Sequence, residues 1–271
     1  MTRRALLIGI NYFGTGNQLS GCVNDIENVK DLLINTLGFA DKNIVVMVDS
    51  EDDPSHLSPC RPTRAKVVAA IQSIVKATQA GDTLYIHYSG HGTHYRNYDG
   101  LDVEIDAQDE YMCTVDNSYI KDDELHAIVN HQIADKAKVV IVFDCCHSGT
   151  MLDLSYKWSI GQKVDSNNPC KYCTSKCVKI VTISGCMDRQ TSADAYIGVV
   201  PDFKGEYAGA LTWALIKSIK EACLKGVNNL RQMTWKDLAY NIRFKIKSGG
   251  YEQVPQLCSH VKSDITDHIY L

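Results

Sequence analysis

One histidine and one cysteine stand in short glycine-rich segments whose composition suits nucleophilic catalysis. His91 lies between two glycines in the segment 89–92, and Cys146, which follows His91 by 55 residues, lies in the segment 144–149. A thiol attacks a carbonyl carbon as the thiolate, and a nearby imidazole is the commonest group that accepts its proton. The sequence therefore predicts a catalytic dyad in which Cys146 is the nucleophile and His91 handles the proton.

Cys145 is the competing nucleophile, and the alternation of side chains along a strand decides between the two cysteines. Successive strand residues point to opposite faces of a sheet, so Asp144 and Cys146 share one face. Cys145 then points to the other face, towards the core. This favours Cys146 as the nucleophile and predicts that Asp144 lies beside it.

A second carboxylate, that of Asp25, is expected near the same site. Asp25 falls in the first turn of a predicted helix that follows the first strand, where a negative charge is favoured. Two carboxylates beside one nucleophile favour an Arg or Lys side chain in the substrate and repel an acidic one. The alternative is that Asp25 only supports the start of its helix.

Short apolar runs alternate with helical patterns along the chain. The runs are nearly continuous in apolar character, as parallel strands covered on both faces are, and they occupy residues 5–10, 44–48, 83–88, 138–143 and 178–183. A short final strand is expected near 265–270. Helical spacing follows a possible cap at Asn24 and also covers 62–78, 211–222 and 234–246. The pattern predicts a single-domain α/β fold with a mostly parallel central sheet and helices on both faces.

Length and composition exclude several classes of protein. The 271 residues are 45% hydrophobic and carry a formal net charge of −4 without a basic cluster, which argues against nucleic-acid binding. No apolar stretch approaches the roughly 18–20 residues that cross a bilayer. Eleven cysteines without a visible secretory signal favour reduced thiols in a cytoplasmic protein. The polar stretch 155–177 is predicted to link a larger half, 1–154, to a smaller half, 178–271.

Two segments resemble the signature segments of metacaspases, which are caspase-like cysteine peptidases of clan CD: YSGHG at 88–92 and DCCHSG at 144–149. Further matches follow in order along nearly the whole chain, at 5–11, 21–25, 183–194, 209–212 and 255–257. The short linker is similar to that of type I members. The resemblance implies a caspase-like fold and a cysteine endopeptidase that cleaves after Arg or Lys. It also implies an S1 pocket, the site for that basic side chain, formed by Cys22, Asp25, Ser89 and Asp144.

Acidic residues cluster between the two signature segments, with six in 99–110 and three more in 122–124. Such clusters are usually solvated surfaces, and this spacing does not match an EF-hand. The resemblance implies instead that calcium activates the peptidase and is held by Asp106, Asp122, Asp123 and Asp153. It further implies protein or peptide substrates with a basic residue before the cleaved bond, a monomeric protein, and self-cleavage at a basic residue of the linker.

Two other functions are compatible with the sequence. A noncatalytic caspase-like scaffold would use the same fold only to bind proteins, although the intact dyad speaks against it. A thiol-based sensor of metal or redox state would use the many cysteines. Cys170, Cys173 and Cys177 include a CxxC pair, a familiar spacing of zinc ligands, but a fourth ligand would have to come from elsewhere.

Overall fold

The structure is a computed structural model that describes residues 1–52, 60–96, 108–146, 151–158, 178–185, 194–198, 203–224 and 226–271. The strands are β1 (Arg3–Gly9), β2 (Ile44–Val48), β3 (Thr83–Ser89), β4 (Gly92–Arg96), β5 (Gln108–Cys113), β6 (Tyr119–Lys121), β7 (Lys138–Asp144), β8 (Tyr156–Trp158), β9 (Lys179–Ser184), β10 (Asp194–Tyr196), β11 (Tyr207–Gly209) and β12 (Gln256–Ser259). The helices are α1 (Cys22–Asp31), α2 (Arg64–Ala77), α3 (Asp122–Gln132), α4 (Ala210–Leu224), α5 (Val227–Gln232) and α6 (Trp235–Ser248). A π-helical turn, Leu32–Thr36, follows α1.

The central sheet has seven strands in the order β2-β1-β3-β7-β9-β12-β8. The first five strands run parallel to their neighbours, whereas β12 and β8 are antiparallel. These five parallel strands coincide with the five predicted ones. Nearly every residue of β3 and β7 is buried, which explains why their sequences are apolar without alternation. The predicted α/β fold with a mostly parallel sheet is confirmed.

Helices cover both faces of this sheet. On one face α1, α4 and α6 bury a core that includes Ile26, Leu215 and Ile242. On the other face α2 and α3 bury Ile71 and Val129. The apolar side chains of each helix recur every three or four residues, so one side of the helix faces the sheet. Among the described residues, no helix has the length and apolar character needed to span a membrane.

Two helix starts test the predicted caps. The α6 helix begins after Thr234, whose side chain forms the expected reciprocal capping box with Asp237. The expected cap at Asn24 is wrong, because α1 begins at Cys22, and Asn11 Oδ1 instead accepts a hydrogen bond from the backbone N–H of Cys22 at 2.9 Å. Asn11 lies in the loop after β1, and a cap supplied by another segment leaves no local spacing signal.

The end of the chain also differs from the prediction. Residues 262–266 form a 3₁₀ turn, and His268 makes only an isolated bridge, so the strand expected near 265–270 is wrong. The apolar residues of that segment are buried without strand pairing. The last strand is β12, which pairs with β9. The stretch expected as a linker begins with the edge strand β8; residues 159–177 lie outside the described residues, and the division into two halves stays a prediction.

Candidate active site

The two signature segments follow neighbouring strands of the sheet. Strands β3 and β7 pair in parallel with Ser89 opposite Asp144, and the N–H of Gly90 donates to the Asp144 carbonyl oxygen at 3.3 Å. His91 and Cys146 each come two residues after this pair. Because the carboxyl ends of parallel strands share one edge of the sheet, the backbone segments that carry both residues leave the sheet side by side.

Gly92 lies directly against the backbone of Cys146. A β-carbon placed on Gly92 would overlap the carbonyl oxygen of Cys146, so only glycine allows this approach. Cys146 is partly exposed, whereas Cys145 is fully buried in the apolar core. The predicted core position of Cys145 is confirmed, and Cys146 is the more accessible of the two cysteines.

The loop that carries His91 is fixed by contacts that the sequence did not reveal. The Nε2 atom of His91 lies 2.7 Å from the carbonyl oxygen of Asn17. A carbonyl can only accept, so Nε2 carries a proton and Nδ1 keeps a lone pair in the neutral ring. The backbone N–H of His91 donates to the Tyr12 hydroxyl at 2.9 Å, and the Tyr88 hydroxyl donates to the His91 carbonyl oxygen at 2.6 Å. Neither Asn17 nor Tyr12 belongs to a motif that would have identified it.

Cys113 carries a third thiol, and its backbone is hydrogen-bonded to that of His91. The backbone N–H of Cys113 donates to the His91 carbonyl oxygen at 3.1 Å, and the hydroxyls of Tyr12 and Tyr88 lie 2.9 and 2.8 Å from the Cys113 carbonyl oxygen. Burial, and then the neighbouring charge of a Cys146 thiolate, raise the pKa of Cys113 to about 11. Cys113 is therefore protonated near neutral pH and is a weaker nucleophile than a thiolate.

Two carboxylates converge on Gly209, the last residue of β11, directly before α4. Asp25 is fully buried and accepts hydrogen bonds from the Ser89 hydroxyl at 2.6 Å and from the Gly209 N–H at 3.0 Å. Asp144, which is 4% exposed, accepts from the N–H and the hydroxyl of Thr212 at 2.8 and 2.7 Å. A β-carbon on Gly209 would overlap Asp144 Oδ2 and lie 2.9 Å from Asp25 Oδ2. The structure thus brings the two predicted acids together.

Two partners of Asp25 bear on its two interpretations. Ser89 lies on β3 and Gly209 ends β11, so Asp25 joins α1 to both strands. These contacts favour the pocket interpretation, which stays a prediction. Cys22, the remaining residue of the expected pocket, is the buried first residue of α1. Thr212 and Gly209 were not expected to contact the acids, because their proximity arises only when α4 packs against the sheet.

Three acidic side chains meet where β5, β6 and α3 join. Asp109, Asp122 and Asp123 each offer a carboxylate oxygen, and these oxygens lie within 4.8 Å of one another. The Lys121 ammonium group pairs with Asp109 at 2.9 Å and with Asp123 at 2.6 Å. Burial, with repulsion from Asp123 and Asp109, raises the pKa of Asp122 to about 7. The cluster therefore favours additional positive charge.

This cluster contains two of the four acids that were expected to bind calcium. Asp122 and Asp123 belong to it, whereas Asp153 is described but is not part of the group, and Asp106 lies outside the described residues. Asp109 was missed, because it reaches Asp122 through the pairing of β5 with β6 and not through sequence spacing. The linker residues Cys170, Cys173 and Cys177 also lie outside the described residues.

Comparison with known proteins identifies the family. The family model for the metacaspase, peptidase C14 domain matches residues 3–155. Metacaspase-1 of Eremothecium gossypii is 31% identical over 95% of this chain, which spans 64% of that relative. Metacaspase-1B of Aspergillus fumigatus is 33% identical over 95% of this chain and 70% of its own length.

One solved structure supports the same fold. The crystal structure of a protein from Geobacter sulfurreducens aligns with a TM-score of 0.64 and 23% identity over 99% of this chain and 98% of that one. At this identity the likeness concerns the fold alone. Since the family model covers more than half of the chain, and curated relatives above 30% identity cover nearly all of it, the chain belongs to the metacaspase, peptidase C14, family.

Proposed function

We propose that this protein is a cysteine endopeptidase that hydrolyses peptide bonds after Arg or Lys and is activated by calcium. The observation that carries the proposal is the convergence of the buried Asp25 and Asp144 carboxylates on Gly209. Asp144 is the last residue of β7, the strand that leads to Cys146. Two negative charges in a buried position favour a ligand that brings positive charge. A guanidinium or ammonium group at the end of a long side chain supplies it.

The dyad follows from the environment of His91. Its Nε2–H is engaged by the Asn17 carbonyl oxygen, so Nδ1 is the nitrogen that takes the proton of the Cys146 thiol. The sulfur then attacks the peptide carbonyl carbon, and the imidazolium returns the proton to the leaving amine. Water hydrolyses the resulting thioester. The backbone N–H groups of Gly92 and Cys146 are proposed to stabilise the oxyanion, since a glycine leaves the backbone accessible to substrate.

A panel of fluorogenic peptides tests this proposal. The peptides differ only in the residue before the cleaved bond, which is Arg, Lys or Asp, and each is assayed with calcium and with a chelator. We expect the Arg and Lys peptides to exceed the Asp peptide by at least about 100-fold in kcat/KM, because a carboxylate is repelled by the acidic pair. Equal cleavage after Asp, or an intact protein without activity in calcium, would contradict it.

Gly92→Ala is expected to lower kcat/KM for the Arg peptide by about 100-fold, since displacing a reacting group by a fraction of an ångström to one ångström is that costly. The added methyl group would meet the Cys146 backbone, which cannot move away as a flexible side chain could. Gly16→Ala is the matched control, because a β-carbon there meets nothing within 4 Å. Steady-state kinetics at a temperature where both variants are folded measure the effect; similar rates for the two would refute it.

The acidic cluster supports the calcium part of the proposal. Carboxylate oxygens are the ligands that calcium prefers, and Asp109, Asp122 and Asp123 present three of them together. Asp106 and Asp153 remain proposed ligands from the family resemblance. Bound calcium would supply positive charge to this cluster. Strand β5 carries both Asp109 and Cys113, and the Cys113 N–H bonds the His91 carbonyl oxygen, so the order of β5 bears directly on the catalytic loop.

Asp122→Asn is expected to raise the dissociation constant for calcium by at least about tenfold, because it removes one negatively charged ligand. Calorimetric titration of the purified protein measures binding, and a calcium titration of hydrolysis measures activation. Asp41→Asn serves as the control, since Asp41 is an exposed acid that pairs with Lys30. Unchanged calcium affinity in Asp122→Asn would count against this site.

The remaining parts of the proposal concern the setting of the enzyme. We place it in the cytoplasm, in accord with its many cysteines. Its partners are protein or peptide substrates with a basic residue before the cleaved bond, it acts as a monomer, and it cleaves its own linker. Sedimentation and mass spectrometry of the fragments formed in calcium test the last two statements.

A further inference from the structure

One face of β3 is connected to both acids of the proposed S1 pocket. Side chains two residues apart share a face of a strand, so Tyr85, His87 and Ser89 form a row. Ser89 ends the row and donates to Asp25 at 2.6 Å. His87, one step earlier in the row, is fully buried, and nothing in the dyad mechanism uses it.

The second connection is a series of hydrogen bonds that runs from Tyr85 through His87 and Thr212 to Asp144. The Tyr85 hydroxyl lies 3.1 Å from His87 Nδ1, His87 Nε2 lies 3.1 Å from the Thr212 hydroxyl oxygen, and this hydroxyl donates to Asp144 Oδ2 at 2.7 Å. The Thr212 hydroxyl has a single proton, which goes to the carboxylate, so its oxygen accepts from His87 Nε2–H. His87 Nδ1 is then the acceptor for the Tyr85 hydroxyl.

We infer that Thr212, oriented by His87, is a positioning residue that holds the Asp144 carboxylate for the basic side chain of the substrate. The inference rests on the proposed function. In this series of hydrogen bonds every donor points towards Asp144. The backbone N–H of Thr212 adds a second hydrogen bond to Asp144 Oδ2 at 2.8 Å. A carboxylate oxygen with two fixed donors has little freedom to rotate away.

The side chains of this hydrogen-bond series must also be uncharged, and this matters as much as the direction of their hydrogen bonds. Burial lowers the pKa of His87 to about 3 and raises that of Tyr85, so both side chains are uncharged near neutral pH. A cation at position 87 would lie one side chain away from Asp144 and would compete with the substrate for its negative charge. A neutral imidazole orients Thr212 without cancelling the attraction for Arg or Lys.

Arg and citrulline peptides of otherwise identical sequence provide the test, because citrulline has nearly the shape of Arg without its charge. The kcat/KM ratio of the two peptides is measured for the wild-type chain of 271 residues, Thr212→Val and Thr212→Ser. This ratio does not depend on the fraction of active enzyme, so a loss of stability alone does not change it. Thr78→Val is the matched control, since Thr78 is an equally buried threonine whose hydroxyl binds only its own helix, at Ile74 O.

Thr212→Val is expected to lower the Arg/citrulline ratio about tenfold, through a higher KM for the Arg peptide with kcat little changed. Thr212→Ser, which keeps the hydroxyl, should restore it. Tyr85→Phe, which removes only the outermost donor, should lower the ratio less, and it decides the matter if Thr212→Val does not fold. A wild-type ratio in the folded variants, or a serine variant as poor as valine, overturns the inference. A wild type that does not distinguish the two peptides overturns the proposed specificity first.

Discussion

Cys146→Ala is expected to reduce hydrolysis of the Arg peptide by at least about 10³-fold, because removing a covalent nucleophile eliminates the acyl-enzyme route. The loss should fall on kcat, while the peptide still binds the acidic pocket. Residual binding is expected because Ser89, Gly209 and Thr212 donate hydrogen bonds that hold Asp25 and Asp144.

Cys145→Ala is the matched control for this variant. Cys145 is adjacent in sequence but fully buried in the opposite core, so its truncation affects stability and leaves the nucleophile in place. Alkylation with a thiol reagent and mass spectrometry of the modified peptide identify the reactive cysteine independently of turnover. Full activity in Cys146→Ala, or labelling that falls on Cys145 or Cys113, would reassign the nucleophile.

Asp25→Asn is expected to lower kcat/KM for the Arg peptide by about 100-fold, with the citrulline peptide nearly unaffected. The change keeps the size of the side chain and removes one of the two buried negative charges that attract the substrate cation; a 100-fold loss corresponds to about 2.7 kcal/mol, close to the lower end of the cost of breaking a buried ion pair. In the substrate-free protein the same change relieves repulsion between Asp25 and Asp144, which offsets part of the altered hydrogen bonding. The melting temperature should therefore change little while selectivity collapses.

Asp49→Asn separates a role in the pocket from the general cost of altering a buried acid. Asp49 is 3% exposed and accepts a hydrogen bond from the backbone N–H of Asn11 at 2.7 Å. The side chain of Asn11 caps α1. It should lower the melting temperature and leave the Arg/citrulline ratio unchanged. If Asp25→Asn behaves in the same way, the acidic pair does not select the substrate.

The elements that carry the dyad could be predicted because their signals are local. A buried parallel strand must be apolar on both faces, so β3 and β7 stand out without any partner being known. The same two-residue period predicts that Cys145 points into the core, and its position in the apolar core confirms this. The strand expected at 265–270 failed for a related reason, since a short apolar segment can be buried in a turn as well as in a strand.

The sequence alone determined which residue types stand at the ends of β3 and β7, and hence which chemistry is available there. Only the tertiary structure decided what surrounds them: the Asn17 carbonyl at His91, Asp109 beside Asp122, and the chain from His87 through Thr212 to Asp144. Periodicity and motif spacing describe neighbours along one element. Contacts between different elements, such as that between His87 and Thr212 at a separation of 125 residues, form only when helices and strands pack.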